Sequence, residues 1–176
     1  VSIRRELASE VKEHDPQRSA SAKRRLLDQL HISTALLAQA LPERAPHPAL
    51  WDRTDALLDL LPDGEVWPLA YLQWEVALLD EMGFGLDLGA CAVTGRTDDL
   101  RYLSPRTGRA VSAEGAGAYA PRLLPLPPVL RGEGEAGNAE IARALAVTGH
   151  FIGERLMPEG RDLPAARARL VEALAR

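Results

Sequence analysis

Apolar positions recur at helical spacing along most of this chain, broken by short runs rich in proline and glycine. Ile3, Leu7 and Val11 stand four apart and predict a narrow-striped helical arm ended by Pro16. Gln17–Ala22 then reads as a polar linker, so residues 1–20 are expected to be poorly ordered or a helical arm. From Ser21 to Leu41 the period predicts a helix with Leu26, Leu27, Leu30, Leu37 and Leu41 on one face. Pro48 opens a second helix to about Leu61, with Leu50, Leu57, Leu58 and Leu61 buried and Pro62-Asp-Gly64 as its stop. Trp67–Met82 is apolar on nearly every side, which predicts the central buried helix, closed by a left-handed Gly83. Trp67 and Trp74 are therefore expected in the core and not stacked on a ligand.

The pattern changes between about residues 90 and 117. Leu100–Leu103 reads as a short strand, Ser104-Pro-Arg-Thr-Gly108 as a turn, and Arg109–Val111 as a returning strand. Tight corners flank this hairpin, Cys91-x-x-Thr94-Gly95 before it and Ser112-x-x-Gly115 after it, with seventeen residues between Thr94 and Ser112. A zinc ribbon pairs two C-x2-C corners across roughly 15 to 20 residues. The spacing at Cys91, Thr94, Ser112 and Gly115 matches, but only Cys91 is a ligand type, so zinc is not expected and packing by Tyr102, Leu103 and Val111 must hold the hairpin. The proline-rich run 116–130 reads as irregular, tethered by Leu123, Leu124, Leu126, Val129 and Leu130, and 131–137 as a loop. Asn138 is the expected N-cap of a helix to about Met157, with Ile141, Leu145, Thr148, Ile152 and Leu156 on its inner face. Pro164 starts a last helix to Ala175 carrying Leu170, Val171 and Leu174. The expected fold is mainly α: a helical bundle over residues 21–176 with a small inserted β-hairpin, a degenerate zinc-finger-like knuckle.

Composition adds limits. With 176 residues, 46% hydrophobic and 26% charged, the chain suits one domain with a real core. A net charge of −4 gives no global field for nucleic acid. Between Cys91 and Arg131, however, six arginines face three acids, a local excess of +3. Arg101, Arg106 and Arg109 on the hairpin are thus the candidate DNA-facing edge. Lys23, Arg24 and Arg25 sit in the first turn of a helix, where positive charge opposes the helix dipole, and are the candidate partner-binding run. His47, His150 and the Asp98-Asp99 pair read as capping or packing residues. One cysteine excludes an internal disulfide, and neither a long apolar run nor a signal-peptide pattern occurs. No phosphate loop, H-E-x-x-H or G-x-S-x-G elbow is present, so no catalytic residues and no small-molecule substrate are assigned.

Several short motifs stand in order: Leu41-Pro-Glu-Arg-Ala-Pro-His-Pro-Ala-Leu50, Leu78-Leu-Asp-Glu-Met-Gly-Phe-Gly-Leu-Asp-Leu88 followed by Cys91, Tyr102-x-Ser104-Pro-x-x-Gly108-Arg-Ala-Val-Ser112, Thr148-Gly-His-Phe151 and Leu163-Pro-Ala-Ala-Arg-Ala-Arg-Leu170. Together they resemble the C-terminal region of RecO, the bacterial recombination mediator. The resemblance spans roughly Ser21 to Arg176. It implies a non-enzymatic protein of the bacterial cytoplasm and nucleoid that binds and anneals DNA. Its implied partners are RecR and the acidic, hydrophobic C-terminal tail of SSB, and it would assist RecA loading indirectly. Many RecO proteins carry a four-cysteine zinc finger, and here three of the four positions are substituted. RecO proteins also begin with a DNA-binding OB-fold, and nothing in this sequence reads as its alternating strands. Two other readings therefore stand beside the mediator: a helical protein-binding module without DNA affinity of its own, and a metal-dependent enzyme, which would require zinc.

Overall fold

Proline at the first helical position costs nothing, because its missing N–H would have no intrahelical partner. Helix α1 accordingly runs Pro16–Ala40, and Gln17–Ala22 is its first turns, not the expected linker. The structure, a computed structural model, describes residues 16–41, 45–134, 136–159 and 161–176; the sequence-predicted arm Val1–Asp15 lies outside the described residues. The buried face of α1 overlaps the expected leucine stripe only in part: Leu37 and Leu41 pack against the core. Gln29, Ile32, Ser33, Leu36 and Ala40 face inward, while Leu27 is 65% exposed and Leu30 38%. The true face has the same period, but two of its positions are polar, so the leucines outside it gave the louder signal.

Helix α2 (Pro48–Asp59) buries Leu50, Thr54 and Leu57. Helix α3 (Trp67–Glu81) is the centre, as its all-round apolarity predicts, with Trp67, Tyr71, Leu72, Trp74, Leu78 and Leu79 buried. The rings of Trp67, Tyr71 and Trp74 stack in sequence along it, and Trp74 Nε1 donates to Thr54 on α2. Gly83 takes the left-handed conformation that ends the helix, with φ of 82°.

Strands β1 (Leu100–Leu103) and β2 (Ala110–Ser112) pair antiparallel around the Ser104–Gly108 turn, close to the expected hairpin. A third strand, β3 (Leu124–Pro125), pairs antiparallel with the other edge of β1, inside the run expected to be irregular. Leu103, Ala110 and Val111 are buried and Tyr102 is partly so, which bears out the residues expected to hold the hairpin. Between β2 and β3 lie the short helix α4 (Ala113–Ala116) and a 3-10 turn.

Helix α5 (Asn138–Arg155) packs along α3, with Ile141, Leu145, Thr148 and Ile152 buried as predicted. Its cap is Gly137 and Asn138 is the first helical residue, a one-position shift from the expected N-cap. Helix α6 (Ala165–Leu174) lies against α5 and α1. The fold is mainly helical with one small three-stranded antiparallel sheet. Among the described residues no helix is long and apolar enough to cross a membrane.

An ion pair closes the bundle. Glu75 on α3 is fully buried and accepts from Arg167 on α6 through both oxygens, at 2.7 and 2.9 Å. Thr148 on α5 donates to the same carboxylate, and Arg167 also donates to the Leu145 carbonyl. Gly149 makes room for this: a Cβ there would sit 2.7 Å from the Arg167 guanidinium. Burial alone would favour loss of the Arg167 proton, but the Glu75 charge and its hydrogen bonds outweigh it and the net shift is upward. The Tyr71 hydroxyl, buried beside this pair, stays protonated far above the usual phenol range because of burial and then the Glu75 charge.

Candidate functional site

The two Gly-bearing corners meet at the base of the hairpin. Residues 91–95 form a turn, with the Gly95 N–H donating to the Cys91 carbonyl, and Ala92 N–H ties that turn to the Ala110 carbonyl at the start of β2. Cys91 Sγ then accepts from the Thr94 N–H (3.4 Å), the Ser112 N–H (3.2 Å) and the Ser112 hydroxyl (3.3 Å). Thr94 Oγ1 lies 3.5 Å from Ser112 Oγ, and Ser112 caps α4 by accepting from the Gly115 N–H. A Cβ on Gly115 would reach within 2.8 Å of Cys91 Sγ and 3.2 Å of Ser112 Oγ. All four positions singled out by spacing, Cys91, Thr94, Ser112 and Gly115, therefore surround one point.

The side chains at that point do not fit zinc. Zinc wants thiolate, imidazole or carboxylate donors in a tetrahedron. Here there are one thiol, two hydroxyls and a residue with no side chain, and among the described residues no group of three or more His, Cys, Asp or Glu is placed to hold a metal. The corner instead aims N–H and O–H donors at the sulfur. Burial of Cys91 opposes ionisation, but the donors from Ser112 and Thr94 win and bring its pKa from 9.0 down to about 6.

The hairpin arginines are not equivalent. Arg101 pairs with Asp99, Arg109 with Asp87 across the hairpin foot, and Arg96 with Asp98. The expected capping acids thus act mainly as counter-ions, and Asp98 is held below its usual pKa by Arg96. Arg106, in the exposed Ser104–Gly108 turn, lies within ion-pair distance of no carboxylate among the described residues. Its backbone carbonyl accepts from Arg155 at the end of α5. His150 packs edge-on against Phe151 with Nε2 3.4 Å from the Pro105 carbonyl, so it is a packing residue of this turn. His47 precedes α2 but does not cap it with its side chain; its ring meets Glu81 at 2.9 Å.

Arg24 and Arg25 line a groove between α1 and α6 of about 720 Å³. Ile32, Pro68, Leu170 and Leu174 supply apolar walls, and Arg169 and Arg176 join the rim. Arg169 also reaches Asp28 at 2.7 Å. The Lys23 side chain lies outside the described residues. Arg169, on α6 beside Leu170, and Arg176, just past its end, went unrecognised in the sequence.

Comparison with known proteins follows this geometry. The family model "Recombination protein O C terminal" matches residues 30–162. The chain is 59% identical over 149 residues to a DNA repair protein RecO of Ruegeria sp., covering 84% of this chain and 62% of that protein. It is 62% identical over 143 residues to the one from Paracoccus denitrificans, covering 80% and 58%. It is 55% identical over 168 residues to the one from Roseobacter denitrificans, covering 92% and 70%. This chain thus spans about three-fifths of the length of most of these curated relatives. No solved structure matches. A mainly helical fold with a small three-stranded antiparallel sheet, matched over most of its length by RecO proteins, belongs to the RecO family of DNA repair proteins.

Proposed function

We propose that this chain serves as a non-enzymatic recombination mediator of RecO type, contacting DNA, RecR and the C-terminal tail of SSB, and so assisting RecA loading. The observation that carries the proposal is the α1–α6 groove: apolar walls with Arg24, Arg25, Arg169 and Arg176 around them. An acidic peptide ending in apolar residues suits such a groove, its side chains filling the apolar floor and its carboxylates meeting the rim. The test is fluorescence anisotropy with a labelled peptide carrying an acidic run and an apolar C-terminus. Arg25→Glu and Leu170→Asp are each expected to weaken binding by roughly tenfold. Equal affinity for the wild type and both variants would overturn this assignment.

In the same reading, the hairpin is a metal finger whose corner spacing survives while hydrogen bonds and packing replace the metal. No zinc is required, and Arg101, Arg106 and Arg109 remain the proposed DNA-facing residues, with DNA held by phosphate contacts. A specific observation also favours the second reading, a protein-binding module without DNA affinity of its own: Arg96, Arg101 and Arg109 each have an acidic neighbour that cancels their charge locally. A salt titration of single-stranded DNA binding separates the two. A steep log–log slope that falls on substitution of the three proposed arginines supports the mediator, and no binding at about 50 mM salt supports the module.

A further inference from the structure

Where the end of α5 meets the hairpin turn there is a second, smaller cleft of about 230 Å³, lined by Phe84, Arg106, Thr107, Phe151, Arg155 and the glycines beside them. Three properties set it apart from the other surface features. Its lining holds two arginines and no acid. Neither Arg106 nor Arg155 lies within ion-pair distance of a carboxylate among the described residues. Phe84, a large apolar ring, is left 40% exposed directly after the helix-ending Gly83.

These groups are held in place. Arg155 Nη2 donates to the Arg106 carbonyl at 2.6 Å, and its guanidinium lies over the Phe84 ring with Cζ 5.9 Å from the centroid. One donor of Arg155 is spent in this way, which leaves four for a ligand. Gly108 turns the chain with φ of 67°, and a Cβ there would press on Leu86 at 3.1 Å, so the turn sits tightly on the body of the protein. Asp80 lies against Gly85, but it lines the neighbouring groove and not this one.

An aromatic face beside two uncompensated guanidinium groups matches one nucleotide of an unpaired strand: a base stacked on the ring and a phosphate between the arginines. The volume argues for a unit of an extended strand, because sites that enclose a whole cofactor or drug-sized molecule run to roughly 300–1,000 Å³. We infer that this cleft, formed by Phe84, Arg106 and Arg155, is a contact site for single-stranded DNA that takes one base and one adjoining phosphate. It rests on the reading that the chain binds DNA, and it moves the contact from the hairpin's strands to its turn and the end of α5. Arg101 and Arg109 are then secondary, because their acids already neutralise them.

The experiment measures fluorescence anisotropy of labelled oligo(dT) and of a labelled duplex with the wild type, Phe84→Leu and Arg106→Ala. Phe84→Leu keeps apolar bulk and removes the stacking face, and Arg106 has an exposed side chain, so circular dichroism should match the wild type in both. The inference expects Phe84→Leu to weaken oligo(dT) binding by about five- to hundredfold and leave duplex binding unchanged. Arg106→Ala should weaken it and lower the salt slope by about 0.7. Wild-type affinity in both variants, or an equal loss on duplex for Phe84→Leu, overturns the cleft while the DNA-binding reading stands. A wild type that binds no oligo(dT) at low salt overturns that reading, and the cleft with it.

Discussion

Glu75 and Arg167 meet across 92 residues of chain, inside the helical bundle, as a fully buried bidentate pair. Cys91, Thr94, Ser112 and Gly115 meet within one insert, through hydrogen bonds of 3.2–3.5 Å to or beside a single sulfur. Both clusters join separate segments of the chain. In the first, charge has been taken out of water, so each partner depends on the other and removal of either strands a buried ion. In the second the contacts are weak one by one, and close approach of Gly115 to the sulfur does much of the positioning. The buried pair is all-or-nothing, whereas the hairpin corner rests on several weak hydrogen bonds and close packing.

The largest effect should come from breaking the buried pair. Arg167→Met leaves Glu75 uncompensated and is expected to cost about 3–5 kcal/mol by denaturant unfolding. Adding Glu75→Leu should recover most of that loss, because two apolar residues remove both charges together. Additive losses in the double variant would mean that shape, and not charge pairing, holds this part of the bundle as well.

Gly115→Ala comes next. Its Cβ meets Cys91 Sγ at 2.8 Å and Val93 Cβ at 3.2 Å, an overpacked corner expected to cost about 1–3 kcal/mol. Cys91→Ala in the same chain removes the sulfur and should return part of it. Independent, additive effects would show that the two corners do not press on each other.

The remaining effect is a pH dependence. The Cys91 pKa is lowered on folding, to about 6 from 9.0. The unfolded chain therefore holds the proton over a range where the folded chain has released it, and stability rises with pH through that range. The contribution is fully present above about 9 and lost as pH falls through about 6. Cys91→Ala should flatten the stability profile between these values, as read from denaturation midpoints at fixed salt. An unchanged slope would remove the corner's donors from the account.

Much of the fold was legible because long helices declare themselves by period: α3 by apolarity on all sides, α5 by Ile141, Leu145, Thr148 and Ile152. The face of α1 was misread because Gln29 and Ser33 occupy buried positions while Leu27 and Leu30 stand outside. Strand β3 was hidden by Pro125, which cannot donate to a ladder and argues locally against a strand. The Glu75–Arg167 pair left no local signal at all, since nothing in a sequence marks two charges as neighbours across 92 residues. At the candidate site, spacing was enough to bring the four corner positions together. Which arginines have an acidic partner was not legible: Arg101 and Arg109 each have an aspartate within reach, whereas Arg106 has none among the described residues.

The proposal that the hairpin corner keeps the geometry of a metal site without its donors can be tested by giving the donors back. Thr94→Cys, Ser112→Cys and Gly115→Cys together with the native Cys91 would supply four thiols around one point. Metal analysis of the purified triple variant, with thermal unfolding before and after chelation, is the direct measurement. The account predicts about one zinc per chain, tetrahedral thiolate coordination, and a folded protein that loses stability when the metal is removed. A folded triple variant that binds no zinc would contradict it.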